Sequence, residues 1–301
     1  ETSSRHVMTS PAVTTRFVDA NGLRFEVHEC GEGDRLALCL HGFPESAFSW
    51  RYQLPCLAQL GYRVWAPNLR GYGRSSRPDR VEDYRVNHLV ADVEALIDAA
   101  GPTHTLLIGH DWGGILAWII ATGKRRALDG LVIMNAPHPA RFAQQLFTWS
   151  QIRRSWYAFA FQIPRLPEFF LGRRQARGIA AIFRNMAVDK SRFPRDVLDV
   201  YRKQALEPGA LTAMVNYYRA NLGLGWRQRA EQADPIDVPT LLVWGEADTA
   251  LGKELTFGTE QLVKHLTIRY LPDVSHWVQQ EAPEQVNGIL ESWLAQHRPA
   301  D

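Results

Sequence analysis

The sequence predicts an α/β protein in which a mostly parallel central sheet, flanked by helices, is interrupted by an inserted helical cap domain. Short apolar runs alternate with helical patterns in the first third of the 301-residue chain, and the alternation resumes at residue 239. Strands that alternate with helices favour a parallel sheet covered on both faces. We therefore expect a core formed by residues 1–137 and 239–301, and a helical cap formed by residues 138–238.

The core elements follow from the apolar runs and their spacing. The first run alternates apolar and polar residues, whereas the later runs are apolar throughout, which is typical of strands buried on both faces. The predicted strands cover residues 23–29, 36–40, 62–67, 104–109, 131–136, 240–244 and 266–271. Apolar residues at helical spacing predict helices over residues 84–100, 113–122, 253–264 and 283–296.

The predicted insertion at residues 138–238 differs in composition from the core. It contains many aromatic residues and arginines, lacks an obvious strand pattern, and is predicted to form several helices. It begins after the carboxyl end of a predicted strand, which is the edge where α/β sheets bind ligands. We therefore expect the insertion to cover a binding site.

Composition excludes several classes of function. The chain has 34 Lys and Arg against 32 Asp and Glu, and a net charge of +2 does not predict a nucleic-acid partner. The longest apolar run in the middle of the chain, residues 115–121, is too short to span a membrane. Three cysteines without a CxxC pair, and no HExxH motif, predict no metal site. Residues 1–16 lack the apolar segment of a signal peptide, so we expect a cytoplasmic protein.

A candidate nucleophile lies in the segment GHDWGG at residues 109–114. This segment follows an apolar strand and precedes an apolar helix, which is the arrangement of a G-x-S-x-G nucleophile turn with Asp111 in place of serine. Glycines two residues before and after Asp111 would allow the sharp turn to close. We expect Asp111 to project into a cleft from a strained backbone. The alternative interpretation is that Asp111 only caps the following helix.

An aspartate at this position selects the chemistry. A carboxylate is a poor nucleophile towards an ester or amide, but it can displace a leaving group at a saturated carbon and form an alkyl-enzyme ester. A water molecule activated by a base must then hydrolyse that ester. The sequence therefore predicts a substrate with a strained or good leaving group on carbon, an epoxide or a halide.

The candidate base is His276, which lies between the last predicted strand and the last predicted helix. A histidine that accepts a proton needs a carboxylate on its other ring nitrogen, and Asp248 follows the penultimate strand. The resulting chain order of nucleophile, acid and histidine is the order found in this type of hydrolase. Glu246 and Asp273 are the competing carboxylates.

A second position for the acid follows Leu131–Met134, the first part of the predicted strand 131–136, where the chain has Asn135. A neutral amide cannot stabilise an imidazolium as a negative charge does. We therefore expect Asp248, and not Asn135, to be the acid that pairs with His276.

Backbone amides and tyrosines complete the predicted site. The turn after residues 36–40 can direct the backbone N–H of Phe43 at a developing oxyanion, together with the N–H of Trp112. An alkoxide leaving group needs a proton donor, and a phenol suits that task. The candidates are Tyr157 and Tyr218 in the insertion, with Tyr217 as an alternative to Tyr218.

Taken together, the chain resembles the soluble epoxide hydrolases of the α/β-hydrolase superfamily over residues 18–294. The resemblance is carried by HGFPES, PNLRGYGRSSRP, GHDWGG, WGEAD and SHW, and by YAFAFQ and NYYRAN in the insertion. It implies an α/β-hydrolase fold, a small apolar epoxide and water as substrates, a vicinal diol as product, and no metal or organic cofactor.

The resemblance also assigns roles to residues. It implies that Asp111 opens the epoxide ring while Tyr157 and Tyr218 hold the oxygen, and that His276, paired with Asp248, then activates water. It further implies a cis Phe43–Pro44 bond, an oxyanion hole made by the Phe43 and Trp112 amides, and an apolar pocket. The pocket is predicted to be lined by Phe43, Trp112 and Trp277.

Two other functions remain open at this stage. A haloalkane dehalogenase would use the same triad, although Phe43 offers no side-chain donor for a halide and the tyrosines would have no purpose. A non-catalytic protein could instead use the pocket to hold an apolar ligand. The sequence leaves open whether the protein is a monomer or a homodimer, and whether its role is detoxification or catabolism.

Overall fold

An eight-stranded sheet forms the centre of the protein in a computed structural model that describes residues 11–145, 148–223, 225 and 232–297. The strands are β1 Thr14–Ala20, β2 Leu23–Cys30, β3 Arg35–Leu40, β4 Arg63–Pro67, β5 His104–His110, β6 Gly130–Met134, β7 Thr240–Gly245 and β8 Leu266–Leu271. They pair in the order β1-β2-β4-β3-β5-β6-β7-β8. The pairs β1–β2 and β2–β4 are antiparallel and the others are parallel, so the predicted mostly parallel sheet is confirmed.

Helices cover both faces of this sheet. The core helices are α1 Gln53–Gln59, α2 Val86–Ala100, α3 Trp112–Thr122, α10 Val278–Glu281 and α11 Pro283–His297. The described helices between β6 and β7 are α4 Pro139–Gln145, α5 Trp149–Arg154, α6 Trp156–Ala160, α7 Leu166–Met186, α8 Arg195–Ala205 and α9 Ala210–Arg219. Alternate residues of β3 enter two separate apolar clusters, Leu36 and Leu38 on the α2–α3 side and Ala37 and Cys39 on the α1–α11 side. A parallel strand buried on both faces explains its continuous apolar sequence.

Two predictions about elements are wrong. Strand β1 was not predicted from the sequence, because it lies at the edge of the sheet and buries only Val18 among its residues. The predicted helix at residues 253–264 is instead two short 3-10 turns, Lys253–Thr256 and Thr259–Gln261. Gly258 separates them with φ of +81°, a conformation that favours glycine and cannot continue a helix.

The helices α4–α9 occupy the interval that the sequence assigns to the cap. Apart from one isolated bridge at Ile236, the described residues of 138–238 contain no strand. The interval follows β6, and its side chains line cavities together with residues at the carboxyl ends of β5 and β7. No helix in the described ranges combines the length and apolar character needed to cross a membrane.

Candidate active site

Asp111 lies in the tight turn between β5 and α3, with φ of 50° and ψ of −121°. A side chain at either flanking glycine would clash with the backbone. A Cβ on Gly109 would lie 2.4 Å from the Gly113 carbonyl oxygen, and a Cβ on Gly113 would lie 2.2 Å from the Leu40 carbonyl oxygen. The Asp111 side chain makes no capping hydrogen bond to α3, so the alternative interpretation of Asp111 as a helix cap is wrong. The strained turn instead directs the carboxylate into a cavity.

The structure places Asp111 and Asp248 next to the two ring nitrogens of His276. His276 Nε2 lies 3.6 Å from Asp111 Oδ1, and His276 Nδ1 lies 2.5 Å from Asp248 Oδ2. The His276 and Asp248 side chains are almost completely buried, and that of Asp111 is 13% exposed. His276 can therefore exchange a proton with a molecule at Asp111 while Asp248 holds its other nitrogen.

Hydrogen bonds from three donors fix the position of the Asp248 carboxyl group. Its Oδ1 accepts from the backbone N–H groups of Ala250 and Leu251, at 2.8 and 2.9 Å, and its Oδ2 accepts from the Asn135 side chain at 2.8 Å. Asn135 is itself fixed, because its Oδ1 accepts from the Gly245 N–H. Asn135, which occupies the second possible site for the acid, thus holds Asp248 in place.

The competing carboxylates lie elsewhere. Glu246 forms an ion pair with Lys253, and Asp273 is exposed on the loop after β8. Neither side chain hydrogen-bonds His276, whose Nδ1 faces Asp248.

The charges of the site stabilise one another. Burial opposes the charged form of His276, but Asp248 and Asp111 outweigh it and raise the His276 pKa to about 10. Burial similarly opposes the Asp111 anion, but His276 and the Phe43 N–H keep the pKa of Asp111 below its usual value. The resting site therefore holds two carboxylates on either side of an imidazolium.

Phe43 and Trp112 are both close to Asp111, Phe43 through a hydrogen bond and Trp112 as the next residue of the chain. The Phe43 backbone N–H donates to Asp111 Oδ2 at 2.9 Å, and the Phe43–Pro44 bond is cis. Trp112 is the first residue of α3, and its side chain hydrogen-bonds Tyr218. The Phe43 amide is thus already within hydrogen-bond distance of an oxygen that would carry negative charge during ester hydrolysis.

Two cap tyrosines face the Asp111 carboxylate. Tyr157 and Tyr218 contact each other edge to face, with ring centroids 5.8 Å apart, and a hydrogen bond joins their side chains. Burial, reinforced by the nearby Asp111 anion, raises the pKa of Tyr157, and burial with Tyr157 and Asp111 raises that of Tyr218. Both phenols therefore keep their protons in the resting site and can donate hydrogen bonds.

The neighbouring Tyr217 points away from the site. Its hydroxyl donates to the Arg70 carbonyl oxygen at 2.7 Å, and its side chain is fully buried between the core and α9. It lines neither of the two cavities that contain Asp111. The structure thus favours Tyr218 over Tyr217 as the second phenol of the site.

Two cavities meet at Asp111, Tyr157 and Tyr218. The larger has a volume of about 790 Å³ and is also lined by Phe43 and Trp277. The smaller has a volume of about 370 Å³ and is also lined by Trp112, together with apolar residues of α3, α4 and α6. Among the described residues, no three His, Cys, Asp or Glu side chains are grouped so that they could hold a metal ion.

Glu45 and His110 form a buried network behind the triad that sequence reasoning missed. His110 Nδ1 lies 2.7 Å from Glu45 Oε2 and its Nε2 lies 2.8 Å from the His276 carbonyl oxygen. Glu45 also accepts from the Gly42 N–H and from the side chains of Gln279 and Gln280. Both ring nitrogens of His110 thus lie within hydrogen-bond distance of these oxygens, and the ring links Glu45 to the backbone of His276. The sequence did contain a signal for this network, because Glu45 and His110 are polar residues that lie next to the two predicted turns, at HGFP and at Asp111.

Gly42 offers a sharp test of how closely the site is packed. A Cβ at position 42 would lie 2.4 Å from Asp111 Oδ2, so we expect Gly42→Ala to displace the carboxylate and reduce kcat/KM by roughly 10²-fold. Overpacking should cost about 1–3 kcal/mol of unfolding free energy. Urea denaturation and steady-state kinetics on the same preparation measure both effects.

Gly288→Ala is the matched control, since nothing lies within 4 Å of a Cβ at that position in α11. It should raise the unfolding free energy by about 1 kcal/mol and leave kcat/KM unchanged. Full activity of Gly42→Ala would show that the Asp111 carboxylate is not held where the structure places it.

Comparison with known proteins shows the family of the chain. The family model of the alpha/beta hydrolase fold matches residues 38–283. The chain is 37% identical to Epoxide hydrolase 3 of Xenopus tropicalis over 91% of this chain and 75% of that protein. It is 33% identical to Epoxide hydrolase A of Mycobacterium tuberculosis over 94% of this chain and 98% of that protein.

The chain belongs to the epoxide hydrolase family. Its fold is the α/β-hydrolase fold, as the resemblance in sequence implied. The crystal structure of an epoxide hydrolase of Bacillus megaterium bound to an inhibitor superposes with a TM-score of 0.86 at 27% identity, over 93% of this chain and all of that one. Epoxide hydrolase A of Mycobacterium thermoresistibile superposes with a TM-score of 0.81 at 29% identity, over 94% of this chain and 98% of that one.

Proposed function

We propose that the protein hydrolyses small apolar epoxides to vicinal diols through a covalent ester on Asp111. The observation that carries the proposal is the placement of Asp111 opposite two protonated tyrosines, Tyr157 and Tyr218, at the junction of two largely apolar cavities. An epoxide carbon can meet the carboxylate there while its oxygen accepts hydrogen bonds from the phenols.

In the first step, an Asp111 oxygen attacks one ring carbon and the carbon–oxygen bond to the epoxide oxygen breaks. The electron pair moves to that oxygen, which takes a proton from Tyr157 or Tyr218. The products are a hydroxyalkyl ester on Asp111 and one tyrosinate. The imidazolium of His276 then gives its proton to the tyrosinate. His276 is then neutral and ready to act as a base.

In the second step, His276 removes a proton from water, and the hydroxide attacks the carbonyl carbon of the ester. The Phe43 amide, with that of Trp112, stabilises the tetrahedral oxyanion. The intermediate collapses and expels the diol oxygen that belonged to Asp111 as an alkoxide, which takes the second proton of the attacking water. The Asp111 carboxylate re-forms with one oxygen from water, and His276 is again an imidazolium. Asp248 stabilises the imidazolium formed during this step.

The structure gives less support to a haloalkane dehalogenase. The indole of Trp112, which could donate to a halide, packs edge to face against Tyr218 with ring centroids 5.4 Å apart, and Phe43 has no side-chain donor. Two phenols aimed at the carboxylate suit an oxygen leaving group, which must gain a proton, and not a halide, which does not.

The remaining predictions fit the same proposal. We propose that residues 138–238 act as a cap that closes the site and supplies its phenols. A monomeric or homodimeric state is likewise a prediction, which sedimentation would test. A cytoplasmic location and a role in detoxification remain predictions.

The test is a single turnover with excess enzyme in oxygen-18 water and styrene oxide as substrate. We expect the first diol to be unlabelled, because its new oxygen comes from Asp111, and the Asp111 peptide to carry the heavy oxygen afterwards. Fully labelled diol in the first turnover would mean direct attack by water and would overturn the covalent mechanism.

The same preparation separates the alternatives. Bromide release from a bromoalkane, faster than diol formation from any terminal, cyclic or aryl epoxide, would instead establish a dehalogenase. No turnover on either panel, with ligand binding unchanged in Asp111→Asn, would establish a non-catalytic binding protein.

The pH dependence of the two steps should differ. Ester formation removes the negative charge of Asp111, one of the groups that raise the His276 pKa to about 10, so that pKa falls in the ester. Hydrolysis needs neutral His276 and should slow as the pH decreases through the lowered value, whereas ring opening persists because the pKa of Asp111 is low. Rapid quenching and mass spectrometry should therefore find more ester at acid pH. Parallel loss of both steps at one pH would contradict this account.

A further inference from the structure

The cap carries an unusual exposed surface, of which Trp156 lines the larger cavity and Phe159 the smaller. Six large apolar side chains there are between 47% and 74% exposed, and together with the arginines of residues 149–177 we call them the aromatic–arginine surface. Its apolar members are Trp149, Trp156, Phe159, Ile163, Phe169 and Phe170. Scattered apolar residues are normal on a protein surface, but six within 22 consecutive residues of one subdomain mark an interaction site.

The charge of this surface has one sign. Residues 149–177 contain six of the chain's 34 basic residues and one of its 32 acidic residues, although the whole chain has a net charge of only +2. The single acid, Glu168, is already neutralised by Arg219 at 2.6 Å. In the described part of the chain, no carboxylate lies within ion-pair distance of Arg165, Arg173 or Arg177.

The surface and the cavity are continuous. Trp156 is 65% exposed and also lines the larger cavity, where Arg153 and Leu171 are its neighbours. Leu171 directly follows the contacting rings of Phe169 and Phe170, and the Arg173 guanidinium lies over the Phe170 ring at 5.0 Å. A molecule bound to this surface therefore faces the mouth of the cavity that contains Asp111.

We propose that the aromatic–arginine surface binds the face of an anionic lipid bilayer. Exposed tryptophan and phenylalanine insert favourably at the boundary between headgroups and acyl chains, and arginine pairs with lipid phosphates. In the bound orientation, the mouth of the larger cavity would face the bilayer, where apolar epoxides concentrate. This second consequence rests on the proposed function, whereas binding to the bilayer does not.

The charge pattern favours a bilayer over a second copy of the chain. A two-fold dimer would bring the same surface of both copies together and place arginines against arginines. The single acid of residues 149–177 is already paired, so this segment supplies no free carboxylate to compensate them. An anionic bilayer supplies the complementary charge and an apolar interior for the rings.

The experiment measures binding of the full chain to vesicles by flotation, with phosphatidylcholine alone and with added phosphatidylglycerol. We expect binding only to the anionic vesicles, weakened by salt. Two triple variants should each reduce the partition coefficient by at least roughly tenfold. They are Trp149→Ser with Phe169→Ser and Phe170→Ser, and Arg165→Glu with Arg173→Glu and Arg177→Glu.

The matched controls carry the same substitutions at other exposed positions and should bind like the original protein. They are Phe17→Ser with Leu206→Ser and Phe257→Ser, and Arg80→Glu with Arg195→Glu and Arg269→Glu. Turnover of water-dissolved styrene oxide should be equal in all variants, whereas turnover of a long-chain epoxide held in anionic vesicles should fall only in the two surface variants.

Three outcomes would overturn the proposal. They are no binding to anionic vesicles, equal loss of binding in the control variants, or a change from dimer to monomer in sedimentation of the surface variants without any vesicle binding. The last result would identify a second copy as the partner. Vesicle binding by a protein that hydrolyses no epoxide would uphold this inference while the proposed function fails.

Discussion

Replacing His276 with glutamine should stop the reaction after its first chemical step. Asp111 would still open the epoxide, because the carboxylate and both phenols are intact, but no base would activate water for hydrolysis of the ester. We expect steady-state turnover to fall by roughly 10³-fold, within the range of losses for a general base. Intact-protein mass spectrometry should find one equivalent of hydroxyalkyl adduct, and digestion should place it on the Asp111 peptide.

Two controls make this result specific. Asp111→Asn combined with His276→Gln should form no adduct, since an amide cannot displace the ring oxygen. His265→Gln changes an exposed histidine at the start of β8 and should leave turnover unchanged. If His276→Gln turned over at the original rate, or lost activity without forming an ester, His276 would not be the base of the second step.

Replacing Tyr157 and Tyr218 together with phenylalanine should block the first step instead. Without a phenol, the developing alkoxide is left without a donor in a buried site. We expect each single variant to lose roughly 10-fold to 10²-fold in kcat/KM and the double variant roughly 10³-fold. Stopped-flow and quenched single-turnover measurements should show slow ester formation and no accumulated adduct, the opposite of His276→Gln.

Tyr217→Phe is the matched control because it changes the adjacent tyrosine of the same helix. It should keep its activity and lose about 1 kcal/mol of unfolding free energy, the value of its hydrogen bond to the Arg70 carbonyl oxygen. If Tyr218→Phe kept full activity and Tyr217→Phe lost it, Tyr217 would be the second proton donor to the epoxide oxygen. Undiminished turnover in both Tyr157→Phe and Tyr218→Phe would reject the tyrosine assignment.

Local rules explain why much of the site was predictable. The turn at Asp111 needs only a strand, two glycines and a helix, and all of these lie within a few residues of one another. The strands were recognisable because a parallel strand buried on both faces must be apolar throughout. Strand β1 escaped prediction for the same reason, since an exposed edge strand carries no such pattern.

Contacts between distant segments explain what was missed. Asn135 and Asp248 are 113 residues apart, and only the pairing of β6 with β7 shows that the amide supports the carboxylate. Glu45 and His110 look like unrelated polar residues until β3 and β5 bring their turns together. Burial of polar groups is tolerated there because each finds a partner across the sheet.

The sequence by itself determined the α/β fold, and it predicted the candidate nucleophile and the need for a histidine with an acid, since backbone geometry and reaction chemistry restrict the residues that can serve. Only the tertiary structure decided which of two adjacent tyrosines faces the carboxylate. Consecutive residues of a helix point about 100° apart, and the packing of α9 against the core sets its rotation. The same packing decides which aromatic and cationic side chains of the cap stay exposed, because exposure is a property of the assembled surface and not of any one segment.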